Sequence, residues 1–318
     1  MEENNPAFGA DLEPFHGITS FMRLPVTHDL SHKEVAIVGV PFDSGTSYRS
    51  GARFGPRSIR QSSLLLWGYN AVMEIEPLRY LSVIDYGDLE VIPVDIRASI
   101  ESISRQANAI LEQNVTMISM GGDHSISLPL LRAHSKKFGR IAVIHFDSHP
   151  DTWQEEFPDQ PYSHGTPFRR ALEENLIDPT AYMQVGLRGP TSSSKDLEEA
   201  RSLGAKTLTI GKVFDMGIPA VIRSIQQVIG EKPVYISFDI DCVDPAYAPG
   251  TGTPEVGGLT SFQALQLIRG LQGLNIVGVD MVEVCPAYDH GEITSILAAN
   301  LIFEFLSLLA LQKKADNK

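Results

Sequence analysis

Eight short apolar runs punctuate the chain: VAIVGV (35–40), YLSVID (80–85), VTMISM (115–120), IAVIHF (141–146), YMQVGL (182–187), KTLTI (206–210), VYISFD (234–239) and IVGVDM (276–281). Most are rich in Val and Ile and do not alternate with polar residues. Strands buried on both faces are therefore predicted, as in a parallel sheet. Helix-like stretches lie between many of them, such as 95–113 and 261–274, the latter with Ser261 as its expected N-cap. Strands alternating with helices define an α/β class. Periodicity does not separate an eight-stranded barrel from an open doubly wound sheet. In both, ligand sites gather beyond the carboxyl ends of the strands. Near the C-terminus, ITSILAANLIFEFLSLLAL (293–311) approaches the length of a membrane span, but Asn300, Glu304 and Ser307 interrupt it, so a buried helix is expected. Residues 1–15 read as a polar tail and 16–318 as one domain.

The polar residues are sorted to match. SMGGDHS (119–125) ends an apolar run with Asp123 and His124. HFDSHPD (145–151) places Asp147, His149 and Asp151 at every second position. VYISFDIDCVDP (234–245) carries Asp239 and Asp241, and IVGVDMVEVCPAYD (276–289) carries Asp280 and Glu283. All four clusters follow a run on its carboxyl side. An extended strand would separate Asp147 from Asp151 by about 13 Å, too far for one ion held at about 2 Å. Either the residues serve no common ion, or the chain leaves the strand after Asp147. Pro150 favours the second, because proline opposes central-strand pairing. His124, Asp147, His149, Asp151, Asp239 and Asp241 then form a candidate ligand set. Its four carboxylates balance two divalent ions, and its mixed oxygen and imidazole donors without thiolate suit Mn2+ better than a structural zinc, with Fe, Co and Ni as chemical alternatives. His145 shares the parity of Asp147 but lies deeper in its run and reads as a satisfied core histidine. Asp244, before Pro245, is expected to shape a turn, and Cys242 to be a small buried residue. APGTGTPEVGG (248–258) lacks the phosphate-loop pattern and reads as a sharply turned active-site loop.

Composition narrows the classes. With 26 basic and 39 acidic residues, the formal charge of −13 argues against a nucleic-acid-binding surface and leans toward cationic partners. Two cysteines make no disulfide scaffold. The acidic opening MEENNPAFGADLEPF has no apolar core, so a cytoplasmic protein without a membrane partner is expected.

Together GGDHS, HFDSHPD, YSHGTPF and SFDIDCVDPAYAPGTGTPEVGGLT resemble the ureohydrolase family of arginases, agmatinases and guanidino-acid hydrolases, most closely its agmatinase branch. The likeness runs from GVPFDSGTSYRSGARFGPRSIR (39–60) to the last helix. It implies a three-layer αβα sandwich around a mostly parallel eight-stranded sheet, assembly as a homotrimer or homohexamer, and a binuclear manganese centre. On the matching positions, His124 and Asp151 would hold one ion and His149 and Asp241 the other, with Asp147 and Asp239 touching both. His164 matches the family's proton-transfer histidine and Glu283 the acid that grips the guanidinium group. Ser148 fits a position that is usually small, while Pro150 is less usual there and Cys285 stands where relatives often carry serine. Trp153 replaces the asparagine with which arginases recognise the amino-acid end of their substrate, which argues against arginase activity.

The implied reaction is hydrolysis of a guanidino compound to urea and an amine. Agmatine is the first choice of substrate, with guanidinobutyrate or guanidinopropionate next. Tyr162 is a candidate contact for the substrate tail. Arg188 is a candidate counter-ion for a carboxylate tail, or alternatively a tie between loops through backbone carbonyls. A pocket closed by Trp153 could favour guanidine itself, with Ni2+. Outside this class stand a non-catalytic metal-binding scaffold subunit of a hetero-oligomer and, more distantly, a deacetylase-like zinc hydrolase.

Overall fold

Every predicted run contributes a strand to one sheet in the computed structural model, which describes residues 13–191, 193 and 195–316. The strands are β1 (Val35–Val40), β2 (Val83–Asp88), β3 (Thr116–Gly121), β4 (Ile141–Phe146), β5 (Ile177–Leu187), β6 (Lys206–Thr209), β7 (Val234–Asp239) and β8 (Ile276–Val282). Their order is β2-β1-β3-β8-β7-β4-β5-β6, and all seven pairings are parallel. The sheet is open, which rules out the barrel. Of the predicted tail, residues 1–12 lie outside the described residues.

Both faces of the sheet are covered, and the pleat assigns side chains to each. Along β1, Val35 and Ile37 join one core while Ala36, Val38 and Val40 join the other. Parallel neighbours require crossovers, which here are mostly helical: α1 (Gly55–Ser63), α2 (Ile96–Leu111), α3 (Ser127–Phe138), α4 (Pro167–Glu173), α5 (Asp196–Ser202), α6 (Ile210–Met216), α7 (Ile218–Ile229), α8 (Ser261–Arg269) and α9 (Ile293–Asp316). Residues of α7, α8 and α9 pack into the first core, and those of α2 and α3 into the second. The result is the three-layer sandwich. In α9, Asn300 donates to the Ile296 carbonyl (2.8 Å), Ser307 to that of Phe303 (2.9 Å), and Glu304 accepts from Arg269 (2.5 Å) and Asn70 (3.0 Å). Its polar residues are thus satisfied inside the protein, and the helix is a core element.

Three local expectations shift. The cap of α8 is Thr260 rather than Ser261; its hydroxyl accepts from Gln263 N while the Gln263 side chain accepts from Thr260 N, a reciprocal capping box. That helix stops at Arg269, before the turn at Gly273 (φ +91°). β2 starts three residues later than its run, because Pro77 initiates a 3-10 turn closed by Tyr80 N to Pro77 O (3.0 Å).

Candidate metal centre and catalytic cleft

The four adjacent central strands β3, β8, β7 and β4 deliver the polar clusters to one end of the sheet. One local device explains the spacing of two. Asp147 Oδ1 accepts from His149 N (2.6 Å), Asp239 Oδ1 from Asp241 N (2.8 Å) and Asp123 Oδ1 from Ser125 N (3.0 Å). Each is an Asx-type turn that curls the chain off its strand. The curl after Asp147 runs on through Pro150, whose carbonyl is held by Gln184 (2.6 Å), to Asp151, which is left-handed (φ +48°). A left-handed aspartate is strained, and here the strain turns a ligand inward.

The turns bring all six predicted ligands together. His124 Nδ1 lies 2.9 Å from Asp151 Oδ2 and 3.1 Å from both Asp147 Oδ2 and Asp239 Oδ2. His149 Nδ1 lies 3.1 Å from Asp241 Oδ2 and 3.5 Å from Asp147 Oδ1. Asp147 therefore offers one oxygen to each group. Bracing contacts aim the donors. His124 Nε2 meets Ser237 Oγ (2.8 Å), which donates to Asp280 (2.6 Å), so Nδ1 is the ring nitrogen turned to the carboxylates. Asp241 Oδ1 accepts from Ser148 N (3.1 Å) and Oγ (2.7 Å). Asp280, one of the sorted acids, supports the site from behind.

Two of the inward-facing atoms, His124 Nδ1 and Asp241 Oδ2, are buried and without a hydrogen-bond partner. Orphaned buried acceptors amid four carboxylates are what divalent ions satisfy. Electrostatics agree. Burial, then the charges of Asp241 and Asp147, push Asp239 well above the usual carboxylate range, and burial with the charge of Asp147 pushes Asp151 up to about 7. Burial opposes protonation of His124 and His149, yet the surrounding carboxylates raise both well above the ordinary histidine value. The metal-free site therefore holds protons that ions must displace. Ion uptake is expected to release protons and to tighten as pH rises through about 7 and beyond. Calorimetry in buffers of different ionisation enthalpy measures the release; a value near zero would contradict the ligand assignment.

Beside this centre, His164 Nδ1 lies 2.9 Å from Glu283 Oε1, which also accepts from His124 N (2.9 Å). Glu283 Oε2 is buried and without a partner, and its backbone is left-handed (φ +63°). Burial opposes charging of His164, but Glu283, then Glu156 and Asp151, raise it to about 10. His149, Asp151, Asp239, His164 and Glu283 line a cleft of about 320 Å3, counted out to open solvent. Trp153 lines it too, its indole N–H donating to Asp196 (3.0 Å). Gly165 makes room for the indole: a Cβ there would stand 2.5 Å from the Trp153 ring.

Two predicted tail contacts are not among the residues lining the cleft. Tyr162 packs at the second core with the Arg97 guanidinium over its ring (5.0 Å). Arg188 donates to the carbonyls of Asp241 (2.7 Å), Cys242 (3.1 Å) and Glu255 (2.7 Å), the loop-tying alternative. Three lining residues escaped the sequence reading: Ser47, Glu156 and Thr253. Ser47 N (3.0 Å) and its hydroxyl (2.6 Å) both lie against His164 Nε2; the N–H donates there only when the ring is neutral, and the hydroxyl can accept from the charged ring. Only Thr253 carried a signal, lying within the loop already read as part of an active site.

Fold and site define a hydrolase with a binuclear metal centre at the carboxyl ends of a parallel sheet. The family model for the arginase family matches residues 33–307. Guanidinopropionase of Pseudomonas aeruginosa is 43% identical over 305 residues, 96% of each chain, and agmatinase of an Enterobacter species is 46% identical over 297 residues, 92% of this chain and 94% of the relative. The solved structure of proclavaminate amidino hydrolase from Streptomyces clavuligerus superposes with a TM-score of 0.91 at 41% identity, covering 94% of this chain and 99% of that one. The chain belongs to the arginase family. It is a metal-dependent ureohydrolase of guanidino compounds.

Proposed function

We propose that the substrate is agmatine, hydrolysed to putrescine and urea with two Mn2+ per chain, in a cytoplasmic homotrimer or homohexamer. The supporting observation is the charge of the cleft. Four ligand carboxylates balance two divalent ions, and Glu283 faces both the protonated His164 and the guanidinium group. Glu156 remains, fixed by Gly165 N (2.9 Å) and the Ser163 hydroxyl, and no Lys or Arg is among the described residues lining the cleft. An amine tail can pair with Glu156, whereas a carboxylate tail finds no Lys or Arg among these lining residues. The oxygen and imidazole donors support manganese. Exposed Leu65, Trp67 and Val72 offer an apolar surface for assembly.

Glu283 Oε2 accepts from the guanidinium N–H groups and fixes the planar cation by charge-assisted hydrogen bonds. When bound, the two ions supply Lewis acidity and a water made nucleophilic at neutral pH. His164, kept protonated beside Glu283, supplies the proton that the leaving amine needs as its C–N bond breaks. Ser47 steadies the far side of that imidazole.

The test compares agmatine, guanidinobutyrate, guanidinopropionate, arginine and guanidine by kcat/KM. Agmatine is expected to lead, and Glu156→Gln to lower its kcat/KM about fivefold, for ~1 kcal/mol of partly screened pairing, while sparing guanidine. A lead for guanidinopropionate would transfer the assignment to the reaction of the Pseudomonas relative, and a lead for guanidinobutyrate to hydrolysis of that guanidino acid. No urea from any compound, with both ions bound, would favour the scaffold.

A further inference from the structure

We propose that His145 is a positioning residue of the metal centre: it orients Asp147, the one carboxylate that faces both groups of ligands. The inference holds whichever guanidino compound is the substrate. His145 lies on β4, two residues before Asp147, and is fully buried. It stands among the ligands, close enough to His124, Asp147 and Asp151 to be taken for one of them. Its hydrogen bonds say otherwise. Nε2 lies 2.6 Å from Asp147 Oδ2, and a carboxylate can only accept. Nδ1 faces Gln184 Nε2 (3.2 Å) and the Tyr182 hydroxyl (3.3 Å). The Asp147 contact therefore puts the ring proton on Nε2, and the Tyr182 hydroxyl, accepting from Gln184, can donate to Nδ1. Both ring nitrogens are engaged, which leaves no lone pair for an ion.

The rest of the surroundings fixes the ring. Phe168 stacks on it with centroids 4.0 Å apart, and His124 meets it edge-on at 5.1 Å. The Gln184 amide that faces Nδ1 also donates to Pro150 O (2.6 Å) and to the Tyr182 hydroxyl (2.9 Å). A single chain of contacts thus runs from Asp147 through His145 and Gln184 to the backbone beside Asp151. It joins the first and last ligands of the HFDSHPD loop, with His145 at its centre. Removing the donor frees Asp147 Oδ2 to rotate and loosens the approach of the His124 side to its ion.

The test compares His145→Gln with His145→Asn in the full-length chain. The glutamine amide nitrogen reaches about where Nε2 stands, and that of asparagine stops near Nδ1. Mn2+ affinity is read by competition with a chelator, and circular dichroism and melting of the metal-free forms check folding. The expected result is that glutamine stays within about threefold of the native protein and asparagine loses about 10- to 100-fold at one of the two ions. No loss in the asparagine variant, or equal loss in both, would overturn the proposal. If the asparagine variant does not fold, an anomalous-diffraction structure of the Mn2+-loaded native chain decides. Nε2 hydrogen-bonded to Asp147 supports the assignment, and Nε2 coordinated to an ion overturns it.

Discussion

Asp239→Ala is expected to empty the centre of ions and to lower urea release at least about a thousandfold, which is about 4 kcal/mol of barrier and within what metal catalysis supplies. Asp239 does two jobs. Its Oδ2 lies 3.1 Å from His124 Nδ1, and its Oδ1 holds Asp241 N (2.8 Å) in the turn that aims the next ligand. Alanine removes both, so each ion loses a donor or its alignment. The fold should survive, because Asp239 sits at the end of a strand whose apolar neighbours lie in the core. The metal-free forms give a sharper signature. Burial and the charges of Asp241 and Asp147 hold Asp239 well above its ordinary value. A raised carboxylate opposes folding at every pH above its unfolded value, increasingly up to its folded one. At neutral pH the metal-free variant should therefore melt no lower than the metal-free native chain. Added Mn2+ should raise the melting temperature of the native chain alone. Elemental analysis finding two ions per chain in the variant would sink the assignment of Asp239 to the centre.

The parts of this architecture that depend on local pattern were legible from the chain. Non-alternating Val- and Ile-rich runs located the eight strands, and the sorting of His124, Asp147, His149, Asp151, Asp239 and Asp241 behind them located residues that the structure gathers at one end of the sheet. What stayed hidden depends on contacts distant in sequence. Nothing near Ser47 announces His164, 117 residues away. Arg188 and Tyr162 are polar residues near the motifs, yet backbone carbonyls and Arg97 claim them. His145 is the instructive case. Its place in a buried run correctly indicated a core histidine, but whether such a ring is inert or braces a ligand depends on where Asp147 turns after leaving the strand. The spacing of two changed meaning in the same way. It resembled one face of a strand, and it is the signature of Asx-type turns that end one.

Glu283→Gln should leave both ions in place and lower kcat/KM by about 30- to 5,000-fold, the cost of about 2–5 kcal/mol for removing one partner of a buried charge pair. The substitution keeps the shape of the side chain. The glutamine carbonyl can still accept from His124 N, as Glu283 Oε1 does at 2.9 Å, so the neighbouring ligand stays aimed. The amide NH2 then occupies the position of Oε2, the buried atom left without a partner among the described residues. A donor there faces the N–H donors of the guanidinium, and the loss of charge is compounded by a clash of like polarity. The pH profile separates this role from general damage. Burial works against a charged His164, and the charge of and hydrogen bond to Glu283 are the largest effects raising it to about 10. Without that charge, His164 gives up its proton at lower pH. The alkaline limb of kcat, where the proton for the leaving amine is lost, should move down in pH while metal content stays constant. An unmoved limb would separate His164 from Glu283, and loss of ions would make Glu283 a structural prop of His124 rather than the anchor of the guanidinium.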